Sequence, residues 1–223
     1  MRKHMKQYTE PIFDRLADYR ARLIEHPFLT ARELPLPLLH EFAFHQYADS
    51  ILWIPMLAQM RGKAARSQRL RDAIADNIAH EAGLHATSHV ALAVALMRSL
   101  SIEHELPWSV LADSAQLWLS DAFAAFGEPE VVGFLLVAET LVPVMFAALE
   151  PSFAAIGAET RYFTEHVAVD TEEHASWMAE AVEDVLAIYG PDIAPRIATG
   201  MADAWDETRD IPDQLWRARC ASR

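Results

Sequence analysis

The chain reads as all-α, and three observations say so. Ala, Leu, Glu and Arg are frequent. No stretch alternates apolar and polar residues as a half-buried strand does. Prolines, and one Gly-Pro pair, fall at intervals that suit the starts and stops of helices. Helices are expected over about 7–25, 36–60, 66–100, 107–126, 128–149, 158–188 and 191–217. Pro35 and Pro37 precede or open the second, where a missing N–H costs nothing. Pro107 and Pro129 sit near the starts of the fourth and fifth, and Gly190-Pro191 separates the last two. No internal repeat, low-complexity tract or long linker interrupts them. The 223 residues are enough for one sizeable core, so a seven-helix bundle forming a single domain over 1–223 is expected.

Composition narrows the function. A net charge of −13 opposes binding to a phosphate backbone. Between Asp72 and Thr160 the only Lys or Arg is Arg98, while Arg61, Arg66, Arg69 and Arg71 cluster just before, as a solvated surface would. No bilayer span is expected, because Glu139 and Pro143 interrupt the most apolar segment. The opening MRKHMKQYTE lacks an apolar stretch after its basic residues, unlike a secretory signal. The single cysteine, Cys220, cannot form an internal disulfide and lies in a polar tail. A reducing, cytoplasmic setting is expected.

The chemistry-bearing residues fall on three of these helices. His166, Asp170 and His174 are four residues apart, and each step of four turns a helix by only about 40°, so they share a face. Glu81, His85 and His89, in NIAHEAGLHATSH, repeat that spacing. Glu139 is the only charge in VVGFLLVAETLVPVMFAAL. A buried carboxylate is neutral or has a cation against it, and the imidazoles and carboxylates nearby make a metal cation plausible. Mixed carboxylate and imidazole donors without cysteine suit iron or manganese better than zinc. Two Glu, one Asp and three His are enough for two metals with open positions. Pro143 cannot donate to the carbonyl of Glu139, four residues back, so a kink or loosening is expected there, either serving the ligand or following bundle curvature. Against a metal stands the ordinary fate of such residues: a His on an amphipathic helix is commonly a surface or core residue, and His-Asp at i, i+4 is commonly a helix-stabilising pair. Glu-x-x-His, the signature of ferritin-like carboxylate proteins, is absent from the chain.

Across residues 21–180 the sequence resembles the heme-oxygenase-like diiron oxidases and oxygenases. EHPFLTA and HEFAFHQYADSILWIPMLAQM resemble the family's opening His-Pro segment and the helix after it. NIAHEAG resembles the segment bearing the first glutamate ligand, GFLLVAETLVPVMF the helix with a central glutamate, and YFTEHVAVDTEEHA the closing His-x-x-x-Asp…His element. The resemblance implies a seven-helix heme-oxygenase-like fold holding two Fe ions, or Mn in place of one, with O2 as co-substrate. By position it implies the ligands Glu81, His89, Glu139, His166, Asp170 and His174. One departure stands out: the family's Asp-x-x-His is here Asp170-x-x-x-His174. A π-bulge can absorb the extra residue, or Glu173 takes the place of His174. His85 competes with His89 in the same way.

The resemblance further implies oxidation of a small molecule, by N-oxygenation, C–C cleavage or desaturation, with an external electron donor as partner. An amino acid or derivative from specialised metabolism is the expected substrate, with Arg161 the one evident group for a substrate carboxylate. His45, Tyr47 and Trp53 are candidate liners of an apolar substrate pocket, or ordinary core. Nucleic acid and membrane are not expected partners; a homodimer is. The rivals keep the fold and drop the metal. A thiaminase-like hydrolase needs a cysteine within the bundle, where there is none, and a true heme oxygenase needs a histidine within the first helix, which only His4 and His26 flank. A cofactorless oxidase, or a helical small-molecule-binding protein, remains as the alternative; the binding protein predicts that these acids and imidazoles scatter to the surface.

Overall fold

The computed structural model describes residues 2–84, 86–102, 115–169 and 175–221, and every regular element among them is helical. The helices are α1 (Arg2–Ile24), α2 (Pro27–Thr30), α3 (Leu36–Lys63), α4 (Gln68–Glu81), α5 (His89–Ser99), α6 (Asp121–Ala124), α7 (Glu128–Ala155), α8 (Arg161–Val169), α9 (Ala175–Tyr189) and α10 (Ala194–Ala221). Eight of them have nine residues or more. The described residues form an all-α helical bundle, in agreement with the expected heme-oxygenase-like architecture.

Helix α7 is the axis of the bundle. It packs against α1, α2, α3, α8, α9 and α10. By length and composition it could cross a membrane, with a mean hydropathy of 2.2 over its most apolar window, which corrects the expectation that Glu139 and Pro143 interrupt it too much. That apolar surface is spent inside the bundle, where 72% of the window is buried. The helix runs on through Pro143 and Pro151, six residues beyond the expected end at 149.

Two glycines let α10 lie close on α7. A Cβ on Gly200 would collide with the backbone carbonyl of Glu130, and one on Gly133 with that of Ile197. The crossing is latched by Arg196 of α10, whose Nε and second guanidinium nitrogen donate to the two carboxylate oxygens of Glu130 at 2.5 and 2.7 Å. Burial pushes the Glu130 carboxyl up, but the Arg196 fork and backbone N–H donors outweigh it and hold the carboxyl below its ordinary range.

The start of α7 is tied to its neighbours by Glu128, which is 2% exposed. Its carboxylate accepts from the backbone N–H groups of Arg66 and Ser67, at 3.0 and 2.6 Å, and from the hydroxyl of Tyr189 at 2.6 Å. Ser67 caps α4 by accepting from the N–H of Leu70, and its hydroxyl donates to Asp184 of α9. The arginine cluster lies at the surface, as expected, with Arg61, Arg66 and Arg69 exposed; Arg66 lies over the Tyr189 ring, Arg69 pairs with Glu180, and Arg71 donates to the carbonyl of Ala64.

Several boundaries differ from the sequence expectation. The helix expected over 66–100 is two helices. Residue Gly83 turns the chain with φ of 77°, and a Cβ there would come 2.5 Å from the nitrogen of Ser88. Ser88 then caps α5 by accepting from Ala91. Of the helix expected over 107–126, residues 107–114 lie outside the described residues; in the remainder Ala115 is helical and α6 follows, opened by Ser120 accepting from Phe123. The helix expected over 158–188 is described as α8 and α9, with 170–174 outside the described residues. Helix α1 starts at Arg2 and so takes in His4. His26 instead opens α2, accepting from the N–H of Phe28, and contacts Asp213 of α10 at 3.2 Å.

Candidate metal centre

The turn at Gly83 builds the site. On one continuous helix, Glu81 and His89 would stand about 12 Å apart along the axis. Reversing the chain after α4 brings the first residue of α5 back over the last residue of α4, and Nδ1 of His89 lies 2.8 Å from Oε2 of Glu81. The distance is that of an ion pair, but the approach lacks the alignment of a hydrogen bond. Two lone-pair atoms directed at a shared point have that geometry.

Helix α8 adds His166. Its ring lies against that of His89, with centroids 4.0 Å apart. Phe146 meets it edge-on from α7 and Tyr162 covers it one turn back. Nδ1 of His166 lies 2.6 Å from the backbone carbonyl of Tyr162. A carbonyl only accepts, so Nδ1 carries the hydrogen, and in the neutral ring Nε2 presents the lone pair. A metal-binding imidazole is commonly oriented this way. Tyr162 is itself held, its hydroxyl 3.1 Å from that of Ser50, which donates to the carbonyl of Gln46 on α3.

Glu81, His89 and His166 are all buried, and one ligand atom from each lies within 4.8 Å of the others. Bonds of about 2.0–2.2 Å to one ion would put such atoms within roughly 4.4 Å of each other, so the three are close to ligating distance. Their donor set, one carboxylate and two imidazoles, suits iron. The residues present therefore fit the metal that the sequence resemblance implied.

Glu139 belongs to the same cavity as Glu81 and His166. It is 5% exposed, and Asn77 of α4 donates to its Oε1 at 2.5 Å. Asn77 stands one turn before Glu81 on the same face, so a single helix supplies a ligand candidate and the donor that orients another. Asp170, Glu173, His174 and His85 lie outside the described residues. The choice of Glu173 or His174, and the π-bulge, lie there too.

The cavity has a volume of about 130 Å³. Of the three expected liners, Trp53 lines it, whereas His45 and Tyr47 do not. His45 is buried elsewhere on α3 and Tyr47 packs against the hydrophobic core. Arg161 does not line it either: its side chain is 57% exposed and pairs with Glu165. The acidic and imidazole candidates within the described residues converge in the interior and do not scatter to the surface, as a plain helical binding protein required.

Sequence reasoning missed Asn77, Tyr162, Asp49 and Glu207. The first two carry a usable signal, since each lies four residues before a ligand candidate. Asp49 and Glu207 come from helices that supply none of the three clustered ligand candidates, and only the packing of α10 across α7 and α3 brings them to the cavity.

Residues 37–207 match the family of iron-containing redox enzymes. The chain belongs to that family. The match spans α3 to the middle of α10 and so takes in Glu81, His89, Glu139 and His166. No curated protein matches the chain. For this iron-containing redox enzyme, the buried Glu81, His89 and His166 are the residues that could hold a metal.

Proposed function

We propose that this iron-containing redox enzyme is a non-heme diiron oxygenase or oxidase acting on a small molecule, an amino acid or a derivative of one. The observation that carries the reading is the buried convergence of Glu81, His89 and His166 from three helices. Glu139 is the next ligand, and Asp170 and His174 complete the set. When bound, iron supplies the redox chemistry, binding and reducing the co-substrate dioxygen.

The protein's own residues do the rest. The Tyr162 carbonyl fixes the tautomer of His166, and Asn77 donates to Oε1 of Glu139 and so holds its carboxylate in place. Phe146, Tyr162 and Met145 form an apolar wall that limits water around the ligands. N-oxygenation, C–C cleavage and desaturation are the outcomes such a centre serves, with an external electron donor where the substrate does not supply all the electrons.

The test is anaerobic reconstitution with ferrous iron followed by exposure to oxygen. Iron retained at two per chain, with an oxygen-dependent change in visible absorption, supports the reading. A chain that binds no iron would overturn it in favour of a metal-free bundle.

A further inference from the structure

The cavity carries acidic residues beyond the ligand candidates. Asp49 of α3 and Glu207 of α10 both line it, in addition to Glu81 and Glu139, and among the described residues that line it none is Lys or Arg. Most of the remaining lining is apolar, with Trp53 and Trp118 among it. Gln46 of α3, which is only 4% exposed, lines the same cavity. Its backbone carbonyl is used by Ser50, but its side-chain amide makes no hydrogen bond to the described residues. A buried amide left with that capacity, facing a cavity, is what a bound polar group would satisfy.

We propose that the cavity takes its substrate by a cationic nitrogen, an ammonium or amine end group, held between Asp49 and Glu207 with the amide of Gln46 beside it. A cation there offsets the negative charge that Asp49 and Glu207 bring to the cavity lining. A carboxylate or phosphate in the same place would add to the negative charge, so an anionic end group is disfavoured. The apolar remainder of the lining takes a hydrocarbon portion, which the cavity directs past Glu139 and His166.

The state of Glu207 agrees. Burial, then the charges of Asp49 and Asp210, push its carboxyl up to about 8. Arg209 and Arg217 border a hollow on the outer side of Glu207, together with Asp203, Asp206, Asp210 and Asp213. They do not neutralise it: Arg209 is engaged by Asp206 and Asp213. Without a cation in the cavity, Glu207 holds a proton at neutral pH.

This assignment deepens the oxygenase reading and rests on it for what becomes of the molecule, though not for its binding. The test uses the full chain, ferrous-loaded and anaerobic, at pH 7, titrated with hexylamine, hexanoate and 1-hexanol while the fluorescence of Trp53 and Trp118 is followed. Iron content is measured on the same samples. Hexylamine is expected to bind at least tenfold more tightly than the other two, and Asp49→Asn and Glu207→Gln each to weaken it about tenfold, the size of a lost charge-assisted hydrogen bond, with iron content unchanged. Equal or tighter binding of hexanoate or hexanol, no binding of any of the three, or unchanged hexylamine binding in both variants would overturn the assignment. If Asp49→Asn does not fold, Glu207→Gln alone decides, because it replaces a half-buried carboxyl group with a neutral amide of the same shape. Amine selectivity without iron would defeat the oxygenase reading and leave this one standing; iron without amine selectivity would do the reverse.

Discussion

Asn77 donates its side-chain amide to Oε1 of Glu139 at 2.5 Å, joining α4 to the centre of α7. The bond gives a partner to the one charged group in the most apolar stretch of the chain, and it holds that carboxylate in place. Asn77→Ala is expected to keep the fold and to lower iron affinity by about 10–100-fold, as loss of an orienting partner does. Competition with a chelator of known affinity measures it. Unchanged affinity would mean that Glu139 is not oriented for a metal.

Gly200 and Gly133 make a sharper structural prediction. A methyl group at either meets backbone, which cannot rotate away as a flexible side chain can. Gly200→Ala should cost ~3 kcal/mol or more, at the upper end of overpacking penalties, since α10 must shift from α7. Denaturant unfolding of the variant checks this, and a loss below ~1 kcal/mol would show that the crossing can relax.

Glu207 carries the pH dependence. Its folded value of about 8 is above the ordinary 4.5, so the folded state binds the proton more tightly than the unfolded one. Its contribution is fully present below pH 4.5 and is lost as pH rises toward 8. Glu207→Gln is uncharged throughout and should therefore gain stability relative to wild type as pH rises through that window. The gain is a few kcal/mol at most, at ~1.4 kcal/mol per pKa unit. Melting temperatures at pH 5 and pH 9 give the comparison; an equal difference at both would show that Glu207 titrates normally.

Glu128 shows how a buried carboxyl group is kept by hydrogen bonds. Two backbone N–H groups and the Tyr189 hydroxyl satisfy it, and it also sits in the first turn of α7, where the helix dipole favours a negative group. On the partner's side, burial and then the bond to Glu128 raise the Tyr189 hydroxyl above its ordinary value. Glu128→Ala strands three donors and should cost about 1–3 kcal/mol, whereas Tyr189→Phe should cost less. The two variants unfolded side by side in urea test that order.

The fold was legible in the sequence because helix-favouring composition and proline punctuation act locally. The starts of α3 and α7 fall where Pro35 and Pro129 suggested. The break between α4 and α5 was not read, because Ala82, Gly83 and Leu84 interrupt an otherwise continuous helical pattern by one residue's backbone conformation. Yet that break matters most for the site. Spacing alone put Glu81, His85 and His89 on one helix face, while the chain reversal at Gly83 brings Glu81 against His89. Glu81, His89 and His166, which the fold brings together, were visible as candidates because acids and imidazoles are conspicuous in apolar segments. Arg161 shows the limit: sequence marks it as a cation near the site, but its place on α8 turns it to solvent and to Glu165. Asp49 and Glu207 sit 158 positions apart in sequence, on α3 and α10, and nothing in their local patterns marks them as facing one cavity.

The most direct test of the central claim is iron stoichiometry after anaerobic ferrous reconstitution, measured by metal analysis and Mössbauer spectroscopy, in the wild type and in Glu81→Ala, His89→Ala and His166→Ala. Two bound irons in the wild type, and loss of bound iron in each folded variant, is the predicted result. Full iron retention in all three folded variants would contradict it, and would place the metal away from the cluster that Glu81, His89 and His166 form.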